Sequence, residues 1–146
     1  MDKFNKKDYK KYSDKKVPNP PYLKNMIMAF LVGGIFCTLG QIITNILKSN
    51  GLDNEMAAAG TSISMVLIGA LLTGLGLYDK IGKVGGAGAA VPITGFANSI
   101  VAPAMEYKRE GFIFGVAAKM FTVAGPVLVY GIGGSVIVGL ITLLLR

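Results

Sequence analysis

"VGGAGAAVPITGFANS", residues 84–99, sets Gly85, Gly86, Gly88 and Gly95 around Pro92 inside an uncharged run. Glycine weakens a helix, while proline removes an amide donor and drives the preceding residue, here Val91, away from helical geometry. The stretch predicts a bend or split near residues 91–95. Pro103 weakens the far end of the same run by freeing the carbonyl of Ser99. In lipid, a broken helix survives only where protein or water covers the exposed backbone groups. The surrounding sequence decides whether this break lies in a membrane.

Composition answers first. Of 146 residues, 52% are hydrophobic and 16% charged, with a mean hydropathy of +0.55. Runs this long without charge would need a water-excluded core wider than so short a chain can build in water. The charges are also segregated. Residues 1–24 hold eight of the fifteen basic groups and three of the eight acids, so +5 of the net +7 sits there. This arm lacks the apolar centre and small-residue cleavage site of a signal peptide and is expected to stay attached. Two roles stay open for it: a cytoplasmic tail drawn to anionic headgroups, or a disordered solubilising arm. "VPNPP", residues 17–21, reads as a stiff extended spacer that ends at Tyr22, placed for the headgroup level.

Hydropathy divides the remainder. Residues 26–47 are 22 uncharged positions, about 33 Å of helix and enough to cross the hydrocarbon. After "KSNGLDNE", residues 56–78 form a second uncharged run, closed by "DKIGK". Residues 84–105 form a third, closed by "EYKREG". The last, residues 112–145, has 34 positions interrupted by Lys119, Gly125 and Pro126, which predicts something other than one straight helix. The expected class is all-α and polytopic, with three to four membrane segments: residues 1–25 are the basic arm and 26–146 the membrane domain. For the third run two topologies fit, a kinked span or a re-entrant pair of half-helices. The re-entrant pair is preferred, because it keeps the basic residues of "DKIGK" and "EYKRE" on one side.

Catalytic and metal chemistry find no constellation. "GAGAAV" satisfies only half of a dinucleotide fingerprint and follows no strand, and there is no Walker A sequence. The chain has no histidine and one cysteine, Cys37, which excludes metal-ligand spacing, a Cys/His pair and a disulfide framework. Glu106 and Glu110 lie one turn apart beside Lys108 and Arg109, as at a solvated membrane boundary. No enzyme activity, cofactor, metal or nucleic-acid partner is expected.

What remains are polar residues within apolar helices. Cys37, Gln41 and Asn45 share a stripe, and Gln41 and Asn45 read as glue to a neighbouring helix in preference to pore lining. Gly131, Ser135 and Gly139 read as a packing seam for close helix contact. Thr94, Asn98 and Ser99 lie at and after the break, where half-helix N-termini present positive dipole ends to an anion. Lys119 either faces a cavity or snorkels to an interface. Together Gln41, Asn45, Thr94, Asn98, Ser99 and Lys119 are the candidate solute-facing residues.

"AFLVGGIFCTLGQ" at 29–41, "LTGLGLYDKIGKVGGAGAAVPITGFANS" at 72–99 and "EYKREGFIFG" at 106–115 resemble the SpoVA family of endospore-forming Firmicutes, in its AC-type form. The AE-type form shares the core but lacks the long basic arm and "PPY". The resemblance implies a multipass subunit of the forespore or spore inner membrane, with the arm on the spore core side. It also implies a hetero-oligomer with AD-type and AE-type subunits that moves dipicolinate, with calcium, in during sporulation and out at germination. Tension gating has been suggested for the AC type. The expected function is therefore a channel or transporter subunit; the alternative is a non-conducting scaffold of the same assembly.

Overall fold

The computed structural model describes residues 6–16 and 20–145, all of them helical or in short connections. The arm contains a helix, α1 (Lys6–Lys16), where a disordered arm was one of the two readings of its composition. Lys16 holds its ammonium 5.9 Å from the centre of the Tyr12 ring. Residues 17–19 of the expected spacer lie outside the described residues.

Helix α2 (Tyr22–Ser49) starts directly after Pro21, which cannot continue a helix backwards, and ends where the Asn50 side chain donates to the Ile46 carbonyl at 2.7 Å. Asp53 starts α3 (Asn54–Gly74) by accepting from the Met56 amide at 2.7 Å, with Glu55 favourably placed in the first turn. The two helices are antiparallel: Thr44 and Thr61 bring their hydroxyls to 2.8 Å, and Leu47 lies over Gly60.

The second membrane helix does not reach Tyr78. It stops at Gly74, and Tyr78 opens a separate amphipathic helix, α4 (Tyr78–Gly85). Asp79, Lys80 and Lys83 face outward, while Tyr78 and Gly85 are buried. Gly86, at φ +49°, turns the chain into the single turn α5 (Ala87–Ala90). Pro92 is extended (ψ 161°) and begins α6 (Ile93–Glu106). Pro103 lies within α6 without ending it.

No piece of the third run spans by itself: α6 has 14 residues, about 21 Å against the ~30 Å of hydrocarbon. Thr94 packs against Gly69, and Asn98 bonds to Thr73, so α6 runs parallel to α3. Gly86 and Lys83 share a shallow cavity with Tyr22 and Met26 at the start of α2. The chain thus rises from Gly86 to the start of α6 and descends again toward the same end of the bundle, which is the geometry of a re-entrant pair. Lys83→Cys and Lys108→Cys, each in a Cys37→Ser chain, should react with an impermeant thiol reagent from one side of the membrane. Labelling from opposite sides would make the segment a span.

After a 3₁₀ turn (Tyr107–Glu110) and Gly111, a π-helical segment (Phe112–Ala117) leads into α7 (Ala118–Leu144). Gly115 lies so close to the Tyr107 carbonyl that any larger residue would collide with it. The last run is therefore continuous from residue 112 to 144 and passes Gly125 and Pro126 unbroken; its irregularity is the π-helical first part. Among the described residues, three helices are long and apolar enough to cross a membrane: α2, α3 and Phe112–Leu144. The chain is an all-α membrane protein with a broken segment packed against α2 and α3. Span hydroxyls mostly turn back to the carbonyl four residues earlier, as Thr38, Ser64 and Thr122 do, which hides them from lipid.

Candidate functional site

The small core lies beneath the break. Phe36 stacks on Tyr78 with ring centroids 6.0 Å apart, and Met65 and Ala89 join them. The Tyr78 hydroxyl is 2.7 Å from the Ala89 carbonyl and 2.8 Å from Thr94 Oγ1. A phenol has one proton and the carbonyl can only accept, so Tyr78 donates to Ala89 and the Thr94 hydroxyl completes the second bond as donor. Tyr78 thereby ties α4, α5 and α6 together at the point where the backbone is interrupted.

The glycines of the break are contact residues. A Cβ at Gly85 would meet Val32, one at Gly88 would run into the Ala29 backbone, and one at Gly95 into the carbonyls of Ala89 and Ala90. Gly69 of α3 is equally tight against the backbone of Thr94. Only Gly86, among the glycines of this stretch, is required by its backbone angle. The half-helices are therefore held directly against α2 and α3.

Outside this packing lies a groove of about 920 Å³, bounded by α4, the break, α6 and Val123 and Val127 of α7. Asn98 and Ser99 line it, as do Asp79, Lys83 and Val91. Ser99 donates to the Phe96 carbonyl at 2.8 Å. Asn98 lies 3.0 Å from Thr73 Oγ1, which is also 2.7 Å from Gly69 O. The Asn98 atom at this contact is its amide oxygen, so Thr73 shares its one proton between the Gly69 carbonyl and Asn98 Oδ1.

The expected residues thus separate. Asn98 and Ser99 come together at the groove. Thr94 is fully buried behind its wall, because its hydroxyl is taken up by Tyr78. Lys119 sits 4.1 Å from the centre of the Tyr107 ring, a cation–π contact at the start of α7, and does not line the groove. Gln41 donates to Asn45 at 2.8 Å on the outward face of α2, so neither glues α2 to another helix of this chain nor faces the break. Gly131, Ser135 and Gly139 are exposed, and a Cβ at either glycine would meet nothing within 4 Å; among the described residues they seam no contact. Sequence reasoning read Lys80 and Lys83 only as topology markers and missed Asp79, Lys83 and Val91 as groove residues. The i, i+4 spacing of Asp79 and Lys83 on one face of a short helix was the available signal.

Among the described residues, no cluster of acidic or cysteine side chains could hold a metal ion. The profile of the SpoVAC/SpoVAEB sporulation membrane proteins matches residues 25–141. The chain is 48% identical over 137 residues to Stage V sporulation protein AC of Bacillus subtilis (strain 168), covering 93% of this chain and 91% of that protein. No solved structure matches it.

Proposed function

Because the chain belongs to the SpoVAC/SpoVAEB family of sporulation membrane proteins, we propose that it is a conduit subunit of a spore inner-membrane SpoVA assembly, with dipicolinate or its calcium chelate as solute. AD-type and AE-type subunits are its proposed partners, and the basic arm with α1 lies on the spore core side. The observation that carries this reading is the 920 Å³ groove at the interrupted helix, where Asn98, Ser99 and Lys83 stand among apolar walls. Amide and hydroxyl groups replace part of a solute's hydration, Lys83 attracts carboxylates, and apolar neighbours such as Val91 and Val123 close the path at rest. Gly85 and Gly88 seat the break on α2, and Gly69 seats α6 on α3, so lateral tension that parts α2 from α3 pulls on the elements that wall the groove. Tension gating belongs to the proposal on that ground.

Ser99→Phe and Val91→Phe fill the groove from two of its lining positions. Spores carrying either variant at normal membrane levels should accumulate and release dipicolinate roughly tenfold more slowly, the effect of about 1.4 kcal/mol added to the transfer barrier. Unchanged fluxes would remove the groove from the path.

A scaffold role is the second reading, favoured by the use of Gly85, Gly88 and Gly95 in packing. Purified protein in liposomes separates the two: a conduit conducts under tension, whereas a scaffold adds no conductance.

A further inference from the structure

Every residue from 126 to 144 of α7 is exposed. The row Val123, Val127, Gly131, Ser135 and Gly139 leaves the groove and continues up this bare helix at four-residue spacing. A second bare face lies on α2, where Gly34, Thr38, Gln41 and Asn45 recur at i, i+4, i+7 and i+11, and all are exposed. That spacing keeps the four on one stripe of α2. The amide nitrogen of Asn45 has no acceptor among the described residues, its oxygen being taken by Gln41. In hydrocarbon, such donors require a partner. Ser135 spends its proton on the Gly131 carbonyl at 2.8 Å, which leaves its oxygen free to accept.

The two faces lie at one depth. Phe36 stacks on Tyr78, whose hydroxyl meets Thr94; from Thr94 the chain descends 13 residues to Tyr107, whose carbonyl abuts Gly115, and it climbs 12 residues from Gly115 to Val127. Phe36 and Val127 therefore mark a common level. Gln41 and Asn45 are five and nine residues beyond Phe36, and Gly131 and Ser135 are four and eight beyond Val127. At ~1.5 Å per residue these are heights of about 8 and 14 Å against about 6 and 12 Å. The senses agree as well: α2 is antiparallel to α3, α3 parallel to α6, and α7 turns back along α6 from the Lys119–Tyr107 contact. Thus α2 and α7 run in the same direction.

We infer that the Gly131/Ser135/Gly139 face of α7 docks on the Gln41/Asn45 face of α2 in a second copy of this chain, with the Asn45 amide donating to Ser135. Two copies inserted with the same topology must present these helices parallel, as they are. Glycines at 131 and 139 let the backbones approach, as small-residue seams do in membranes. The two faces differ, so the contact is head-to-tail and builds a closed ring or an open array. It stands independently of the conduit reading.

The test uses full-length chains with Cys37→Ser, each with one new cysteine and its own tag, coexpressed in one membrane. Asn45→Cys in one chain and Ser135→Cys in the other should give mixed-tag disulfide dimers on mild oxidation, several-fold above same-tag dimers. Asn45→Cys with Leu143→Cys, about 12 Å higher on α7, should give none. A second pair, Gln41→Cys with Gly131→Cys, repeats the measurement should Asn45→Cys perturb insertion. Same-tag Ser135→Cys dimers would mean that α7 pairs with itself. Cross-links to a protein of another mass would mean that a different subunit covers the face, and no cross-link in either pair would mean that lipid does. Each of these results overturns the proposal.

Discussion

Gly88→Val should prevent accumulation of folded protein, with a loss of more than about 3 kcal/mol. A Cβ at this position meets the carbonyl, carbonyl carbon and Cα of Ala29. These are backbone atoms in the middle of a long helix and have no rotamer to yield. Relief would require α5 to leave α2, and with it Gly85 from Val32 and the Tyr78 ring from Phe36. The opposite side of the same contact behaves differently. A Cβ at Gly33 comes to 3.5 Å from Gly88, an ordinary contact, so Gly33→Ala should be neutral or gain a few tenths of a kcal/mol in helix preference. The measurement is the thermal midpoint of monodisperse protein in detergent: Gly33→Ala near wild type, Gly88→Val absent or aggregated. Equal behaviour of the two variants would refute the direct α2–α5 backbone contact.

Tyr78→Phe should lower stability by about 1–2 kcal/mol while keeping the ring on Phe36. The lost hydroxyl is the donor to the Ala89 carbonyl and the acceptor for Thr94, so two polar groups at the break lose their partner together. Thr94→Val removes one of the two bonds and should have the smaller effect. Because the residues share one network, the double variant should cost less than the sum of the singles. Thermal midpoints of the four proteins check this. Strict additivity would mean that Tyr78 and Thr94 act independently, contrary to the 2.8 Å contact.

The membrane class, the long apolar segments and the place of the break were legible in the sequence. Uncharged runs and the Pro92 effect act locally, and a bilayer imposes the same length rule on any helix. The boundary at Tyr78 was not legible, because hydropathy treats tyrosine as the tail of an apolar run. It is instead the first residue of α4, and its hydroxyl is needed eleven and sixteen residues later. Thr94 and Lys119 were nominated for polarity in an apolar setting; both are occupied by partners distant in sequence, Tyr78 and Tyr107. Gln41 and Asn45 were correctly grouped on one stripe, but spacing gives no information about which side of α2 meets α3.

Uncharged length and local backbone chemistry were enough to place this chain in a membrane and to put a break near residues 91–95, since proline geometry and glycine entropy need no neighbours to act. Only the tertiary structure decided what the remaining glycines are for: Gly85, Gly88 and Gly95 admit Val32, Ala29 and the carbonyls of residues 89 and 90. It likewise decided which polar groups stay open, leaving Asn98, Ser99 and Lys83 at the groove while Thr94 closes on Tyr78. The reason is that close approach and hydrogen-bond satisfaction are properties of pairs, and the pairs here join residues that only folding brings together.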